Sequence, residues 1–192
     1  ELGDAQEKKD AVCASCNQNA GILARSNRAD HLELRDFVTD KDHEACRELA
    51  DALSAETYLD FQFMGIDVGR LASYELFLKY KKMSPELAPE QWDYCKLYIK
   101  NCLISLLGFS RLFQAKKPDV VFFYSPQYGI NGVCAQFAEN EGSAAYFMEG
   151  SSSNVERYSA LRLWRWSAHG LVNPALDYWS EAGTLDTEDI GR

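Results

Sequence analysis

"KKPDVVFFYSPQYGINGVCAQFAENEGSAAYFMEG", residues 116–150, holds two short apolar runs with a helical pattern between them. The first run, "DVVFFY" at 119–124, is rich in β-branched and aromatic residues, which predicts a strand that is covered on both faces, as in a parallel sheet. A Ser-Pro helix start and a stop at Gly142 bound the middle, and "SAAYFME" predicts the next strand. A strand, a helix and a strand of this length form a right-handed βαβ unit. We therefore predict an α/β protein with a Rossmann-like parallel sheet and flanking helices.

Three helices are predicted upstream of this unit. "TDKDHEACRELADALSA" begins with Thr39 or Asp40 as a cap, and "GIDVGRLASYELFLKYKKM" places apolar residues on one face. In the latter the two glycines suit a helix start better than a phosphate loop. One long helix, at about 90–116, follows, because apolar residues recur there every seven positions, at Trp92, Ile99, Leu106 and Phe113. Cys95 and Cys102 interleave with them and are interpreted as core residues.

The remaining segments set the predicted domain limits. Residues 1–10 are charged and predicted to be frayed, while "HLELRDFV" at 31–38 alternates like a strand. "NPALDYWSEAG" predicts a last short helix, and residues 183–192 an exposed acidic tail. We therefore expect a single α/β domain over 11–182.

Composition excludes several classes of function. The 192 residues contain 29 acidic and 20 basic side chains, so the net charge of −9 does not suit a phosphate backbone, and no nucleic-acid partner is expected. The longest apolar run, "CLISLLGF" at 102–109, is too short to cross a bilayer. No signal peptide is visible in "ELGDAQEKKD", and the scattered cysteines suit a reducing compartment, so we expect a cytoplasmic location.

Cys13 and Cys16 have the spacing of a zinc-ligand pair, but a second pair of ligands is missing. The nearest other candidates are His31, His43 and Cys46. A redox pair is a further reading of the two cysteines. Plain thiols are favoured over both, and we expect no metal.

Polar residues follow both predicted strands, where ligands collect in α/β sheets. After the first strand come Tyr124, Ser125, Gln127, Tyr128, Gly129 and Asn131, and after the second come Glu149, Gly150, Ser151 and two more serines. Hydroxyls and backbone N–H groups there would suit a hydroxyl-rich or phosphorylated ligand. That the loops only turn the chain is an equally open reading. "GSSSN" lacks the lysine and the spacing of a P-loop.

A tryptophan-rich stretch, "RLWRW" at 162–166, alternates as an amphipathic strand or a tight turn would. Trp164 and Trp166 suit stacking on sugar rings, and they equally suit an ordinary core, which is the favoured interpretation. His169 is a lone loop histidine, and no Ser/His/Asp set or nucleophile elbow is present.

"GIDVGRLASYELFLKYKKM", "YIKNCLISLLGFSRLFQAKKPDVVFFYSPQYG" and "AENEGSAAYFMEG" resemble, in order and spacing, the N-terminal halves of bacterial capsule and surface-polysaccharide glycosyltransferases of the GT-B arrangement. The resemblance covers about residues 60–150. It implies two Rossmann-like domains facing a cleft, with the acceptor on the N-terminal one, and no required metal. It extends to Gly65, Asp67, Gly69, Glu149 and Gly150, although Gly150 follows Glu149 directly where relatives have a longer Glu-Arg-Gly-like string.

The function expected from these features is the acceptor-side domain of a glycosyltransferase, which uses a nucleotide sugar as co-substrate and no other cofactor. A C-terminal domain or a partner chain would supply the other half, because 192 residues do not hold both domains. Glu149 is the first candidate for the base that removes the acceptor proton, and Asp67 the second. The alternatives are a non-catalytic carbohydrate- or protein-binding module and a plain scaffold.

Overall fold

The computed structural model of the chain describes residues 2–81, 86–125, 128–149 and 162–165. The chain divides into two compact units, Glu1–Asp36 and Phe37–Arg192. The predicted domain limits, 11–182 and 183–192, extend past the described residues and stay predictions.

The first unit is dominated by helix α1, Leu2–Ser26. It includes residues 2–10, which were expected to be frayed, and a following stretch for which no helix was predicted. The apolar residues of α1 form no continuous stripe, and Val12 and Leu23 are exposed, so an amphipathic pattern could not reveal this helix. It ends where the Asn27 side chain donates to the Leu23 carbonyl at 2.8 Å.

The strand predicted at "HLELRDFV" is wrong. Residues Leu34–Phe37 form a 3₁₀ helix, and the Asp36 N–H donates to the Glu33 carbonyl at 3.0 Å. Alternating polarity over a few residues does not by itself specify a strand, because a strand also needs a partner strand for its backbone hydrogen bonds. Here the same residues form a tight turn.

The described residues of the second unit form the α-helices α2 (Asp40–Asp51), α3 (Val68–Tyr80), α4 (Pro89–Lys116) and α5 (Gly129–Asn140), and a 3₁₀ turn at Tyr58–Asp60. The predicted cap of α2 is confirmed at Thr39. Its hydroxyl accepts from the Asp42 N–H at 3.3 Å, and the Asp42 carboxylate accepts from the Thr39 N–H at 2.7 Å. This reciprocal pair is a capping box.

The start of α3 explains one of the glycines in "GIDVGR". A Cβ on Gly69 would lie 1.7 Å from the Tyr58 carbonyl oxygen, which leaves no space for a side chain. The Gly69 N–H donates to the Phe61 carbonyl at 3.0 Å. The stretch is therefore a helix start, as predicted.

The long helix α4 confirms the seven-residue repeat. Ile99, Leu106 and Phe113 are buried, and the half-buried Trp92 packs against the ring of Tyr58, with centroids 5.6 Å apart. Cys95 and Cys102 are buried in the same core, as the sequence predicted.

The sheet has the strand order β1 (Val120–Tyr124), β2 (Ala144–Glu149) and β3 (Arg162–Arg165). β1 and β2 are parallel and joined by α5, which confirms the predicted crossover unit. β3 pairs with β2 in the antiparallel direction, so the described sheet is mixed and not purely parallel. The protein is thus α/β in a loose sense, mostly helical with a small sheet, because a Rossmann-like sheet requires more parallel strands than the described residues contain.

The prediction that β1 is covered on both faces is wrong for the part of the chain that the structure describes. Val121 and Phe123 are half-buried, and Phe123 packs on Phe109 of α4 at 5.7 Å between centroids. Phe122 and Tyr124, on the opposite face, are 54% and 52% exposed. Because successive residues of a strand point to opposite faces, the helices cover only one of the two.

Candidate functional site

The carboxyl end of β1 gathers four of the predicted site residues: Tyr124, Ser125, Tyr128 and Asn131. The Asn131 amide on α5 donates to the Tyr124 carbonyl, and also to the Ser125 carbonyl at 3.1 Å. Ser125 is buried, has a left-handed φ of 48°, and donates its N–H to the Met148 carbonyl at 3.3 Å. Asn131 therefore holds the turn between β1 and α5.

Among the described residues, Tyr124 and Tyr128 are the exposed aromatic residues of this end, which we call the carboxyl edge. Tyr128 is the residue that precedes α5, and 45% of its surface is exposed. A phenol offers an apolar ring and a hydroxyl that both donates and accepts hydrogen bonds. The edge therefore presents the chemistry that was expected for a hydroxyl-rich ligand.

The ends of β1 and β2 lie side by side, as predicted. Tyr124 is in register with Met148, and Glu149 follows Met148 as the last residue of β2. The backbone of Glu149 pairs with Arg162 of β3. The orientation of the Glu149 side chain lies outside the described part of the structure, and so do the residues Gln127, Gly150 and Ser151.

Asp67 does not join the carboxyl edge. It precedes the first turn of α3, where its carboxylate accepts from the Gln62 amide at 2.7 Å and its N–H donates to the Gln136 side chain at 3.1 Å. Gln136 lies seven residues along α5 from Gly129, or about 10 Å at 1.5 Å per residue. The structure thus places Asp67 beside the second half of α5, away from the turn that follows β1.

Glu75 of α3 lies closer to that edge, and the sequence did not single it out. The helices α3 and α5 touch at Gly129, where an added Cβ would lie 2.7 Å from the Leu71 carbonyl oxygen and 3.2 Å from the Cys102 sulfur. Glu75 is one turn further along α3, and its carboxylate accepts a hydrogen bond from the Gly129 N–H. It therefore meets the positive N-terminal end of α5, whose preceding residue, Tyr128, makes no side-chain cap.

The environment of Glu75 alters its acidity. Burial raises the pKa of its carboxyl, although the hydrogen bond from Gly129 acts in the opposite direction. The sequence does contain a feature that could have identified Glu75 as a candidate. It is an acidic residue between Ala72 and Leu76, which are buried on the apolar face of α3.

Next to Glu75 lies a polar group formed by Lys79, Tyr94 and Tyr98. The two tyrosine hydroxyls are 2.9 Å apart, and the Lys79 ammonium is 3.0 Å from the centre of the Tyr94 ring. The hydrogen bond to Tyr94, burial and the charge of Glu75 raise the pKa of Tyr98. The hydrogen bond with Tyr98 and the ammonium of Lys79 lower the pKa of Tyr94. We call these three residues with Glu75 the Glu75 cluster.

A separate cleft lies where the strands begin. It has a volume of about 380 Å³ and is lined by the ends of α4 and α5 and the start of β1, including Lys117, Asp119 and Glu141. It is at the opposite edge of the sheet from Tyr124. The described residues of the site predicted from the strand ends are therefore separate from this cleft.

The two cysteines with zinc-like spacing, Cys13 and Cys16, are exposed free thiols within α1, whereas Cys46 is buried in α2. Across residues 2–81, 86–125, 128–149 and 162–165, no three His, Cys, Asp or Glu side chains are grouped as metal ligands would be. In the same ranges, no helix combines the length and the apolarity that crossing a membrane requires.

Comparison of the chain with protein-family models, with curated proteins and with solved structures finds no match.

Proposed function

We propose that the chain is the acceptor-side domain of a glycosyltransferase in surface-polysaccharide biosynthesis, which transfers a sugar from a nucleotide sugar to a glycan acceptor. The observation that supports this proposal is the carboxyl edge of the β1-α5-β2 unit, where Tyr124 and Tyr128 are exposed beside the end of β2. Ligands of α/β proteins bind at this edge. A larger Rossmann-like sheet, and a second domain or partner chain that binds the nucleotide sugar, are parts of the same proposal.

In this proposal the edge binds the acceptor through hydroxyl groups and aromatic rings. Tyr124 and Tyr128 contact the sugar, and Gln127, Gly150 and Ser151 complete the contacts from the adjoining loops. Asn131 positions the turn, because its amide is already engaged with two backbone carbonyls. All six cysteines are unpaired, which suits a reducing compartment and supports a cytoplasmic location.

The transfer step requires a group that accepts the proton of the acceptor hydroxyl. As the acceptor oxygen forms its bond to the anomeric carbon, the nucleotide leaves with the electrons of the broken bond, and the proton passes to a carboxylate. Glu149 remains the first candidate, because it ends the strand beside Tyr124. Glu75 replaces Asp67 as the second candidate, because it contacts Gly129, the residue after Tyr128, and burial raises the pKa of its carboxyl.

The proposal is tested in the complete enzyme, with this chain joined to its donor-binding half. Glu149→Gln keeps the shape and removes the proton acceptor, so we expect turnover to fall by about 10²-fold or more. Asp67→Asn is the matched control, since Asp67 is distant from the edge, and should change turnover by less than about threefold. Full activity of both Glu149→Gln and Glu75→Gln would contradict a catalytic role for either carboxylate.

Acceptor binding is measured separately on the chain alone, against a panel of capsular oligosaccharides. Tyr128→Ala should weaken binding by about tenfold, because the stacking contact between this ring and the bound sugar is lost. Leu97→Ala on α4 is the control, as its exposure of 44% matches the 45% of Tyr128. Equal binding by both variants would remove the carboxyl edge from the acceptor site.

A second candidate function is non-catalytic carbohydrate binding at the same edge. The exposure of two aromatic residues there, with Asn131 already engaged by the backbone, is the observation that favours it. The two functions differ in one measurable respect. A binding module would keep its affinity for the glycan in the Glu149→Gln and Glu75→Gln variants, because both tyrosines are retained. Neither the parent protein nor the variants would transfer a sugar.

A further inference from the structure

A polar surface continues from the carboxyl edge along the groove between α3 and α4. Glu75 is the link, because its carboxylate accepts from the N–H of Gly129, the residue that follows Tyr128. Gly129 also lies against α4, where a Cβ on it would be 3.2 Å from the Cys102 sulfur. The start of α5 is therefore in contact with both helices, one residue after the exposed ring of Tyr128.

The other members of the Glu75 cluster follow in this groove. Lys79 is one turn beyond Glu75 on α3. On α4, Tyr98 is one turn before Cys102, and Tyr94 is one turn before Tyr98. At 1.5 Å per residue, each of these steps leads about 6 Å further from the start of α5. The cluster thus begins at the carboxyl edge and extends away from it.

The cluster offers hydrogen-bonding groups that solvent can reach. Lys79 is exposed, and Tyr94 and Tyr98 are half-buried. The rings of the two tyrosines meet edge to face with centroids 4.8 Å apart, and their hydroxyls are 2.9 Å apart, so both hydroxyls are held in place. A phenol carries one hydroxyl hydrogen and two lone pairs. The bond between the two phenols therefore leaves one hydrogen and further lone pairs for a ligand.

The charges of the cluster favour an uncharged ligand. The Lys79 ammonium lies 3.0 Å from the centre of the Tyr94 ring, and in the part of the chain that the structure describes it forms no ion pair with a carboxylate. Glu75, one turn away, offsets its charge, so the cluster is neutral as a whole. The hydroxyl groups of a neutral sugar can accept from the ammonium and donate to the phenol oxygens. An acidic sugar would instead be repelled by Glu75.

We propose that the Glu75 cluster binds a second, uncharged sugar residue of the glycan, next to the one at Tyr128. Lys79 and Tyr98 make the hydrogen bonds to this residue, while Glu75 keeps its bond to Gly129. The second position rests on the proposed function, because it extends the acceptor site at the carboxyl edge. The acceptor is then a chain of at least two neutral sugars and not a single sugar.

The test compares the binding of a neutral hexose and of its disaccharide to the full chain by NMR titration. The parent should bind the disaccharide about tenfold more tightly, because further hydrogen bonds form, one of them to a charged group. Lys79→Met removes the ammonium, so the affinity for the disaccharide should fall about tenfold and that for the monosaccharide by less than about twofold. Tyr98→Phe removes only a hydroxyl and should lower the disaccharide affinity about fivefold.

Lys96→Met is the matched control for Lys79→Met. The Lys96 ammonium also lies above an aromatic ring, that of Trp92 at 6.0 Å, but on the side of α4 that faces α2. The control should change neither affinity, and a loss equal to that of Lys79→Met would overturn the proposal. Circular dichroism and urea denaturation verify that each variant is folded.

The outcomes separate the second position from the proposed function. Equal affinity of the parent for both saccharides, or a preference for the disaccharide that persists in Lys79→Met and Tyr98→Phe, would overturn the second position alone. Tighter binding of a disaccharide with a uronic acid at the second position would overturn the assignment to neutral sugars. If the parent binds neither saccharide, or if Tyr128→Ala leaves the monosaccharide affinity unchanged, the proposed function fails, and the second position fails with it.

Discussion

Phe122 and Phe123 are neighbours in one strand, yet they meet opposite surroundings. Phe123 lies between Phe109 of α4 and Phe147 of β2, with ring centroids 5.7 and 5.8 Å away. Phe122 stacks on Tyr146 and is otherwise exposed among the described residues. The two faces have similar composition, so composition alone does not indicate which of them the helices cover.

The largest expected effect separates the two faces directly. Phe147 is 1% exposed, so Phe147→Ala should reduce the free energy of unfolding by about 3 to 5 kcal/mol. Phe122→Ala should reduce it by less than about 1.5 kcal/mol, because this ring is 54% exposed and stacks on Tyr146. Both are measured by urea denaturation of the full chain. Equal losses would contradict this difference and show that the two faces are equally buried.

The helical layer under the covered face supplies the second prediction. Leu106 of α4 is fully buried, so Leu106→Ala should cost about 2 to 5 kcal/mol by leaving a cavity. Leu97→Ala on the exposed side of the same helix should cost less than about 1 kcal/mol. The pair is compared by chemical denaturation, with circular dichroism to verify that the helix is retained. A small loss at Leu106 would mean that α4 does not support the sheet as described.

A close helix contact beneath the same face gives a smaller effect. Gly129→Ala places a methyl group 2.7 Å from the Leu71 carbonyl oxygen, and we expect a loss of about 1 to 3 kcal/mol as α3 and α5 move apart. In α1, the Cβ of Gly21→Ala meets only flexible side-chain atoms at 3.4 Å or more, so this helix should gain stability slightly. Thermal unfolding followed by circular dichroism distinguishes the two. A neutral Gly129→Ala would indicate a looser packing of the two helices.

The smallest effect is electrostatic and lies away from both faces. Arg111 of α4 donates two hydrogen bonds of 2.7 Å to Asp42 of α2, and these bonds hold the pKa of that carboxyl well below its ordinary value. A depressed pKa contributes stability above the unfolded pKa, 3.8, and this contribution is lost as the pH falls through the folded pKa. Asp42→Asn should therefore be less stable than the parent at pH 7, and the difference should shrink below about pH 4.

Denaturation at pH 7 and at pH 3 measures this effect. The Phe147→Ala loss serves as the reference, because an apolar contact carries no charge that titrates over this interval. A difference between Asp42→Asn and the parent that is constant with pH would show that the Arg111 contact does not hold the carboxyl ionised.

The sequence alone determined the features that depend on neighbours along the chain. The seven-residue repeat at Trp92, Ile99, Leu106 and Phe113 specifies one buried side of α4, since a helix returns to the same side after two turns. The Thr39 hydroxyl lies three residues before the N–H it accepts from, so its cap is also local. The crossover of β1, α5 and β2 followed from two apolar runs with a helical pattern between them.

The tertiary structure decided which groups come together from distant positions. Glu75 lies near the carboxyl edge because Gly129, in another helix, presents its N–H to the carboxylate, and Asp67 lies away from that edge, where its N–H meets Gln136. The faces of β1 were decided in the same way. The pleat of a strand places alternate residues on opposite faces. Because "VVFFY" is apolar at every position, its sequence does not indicate which of the two faces packs against α4 and α5. That choice follows from packing between elements, which a periodic pattern along one element cannot encode.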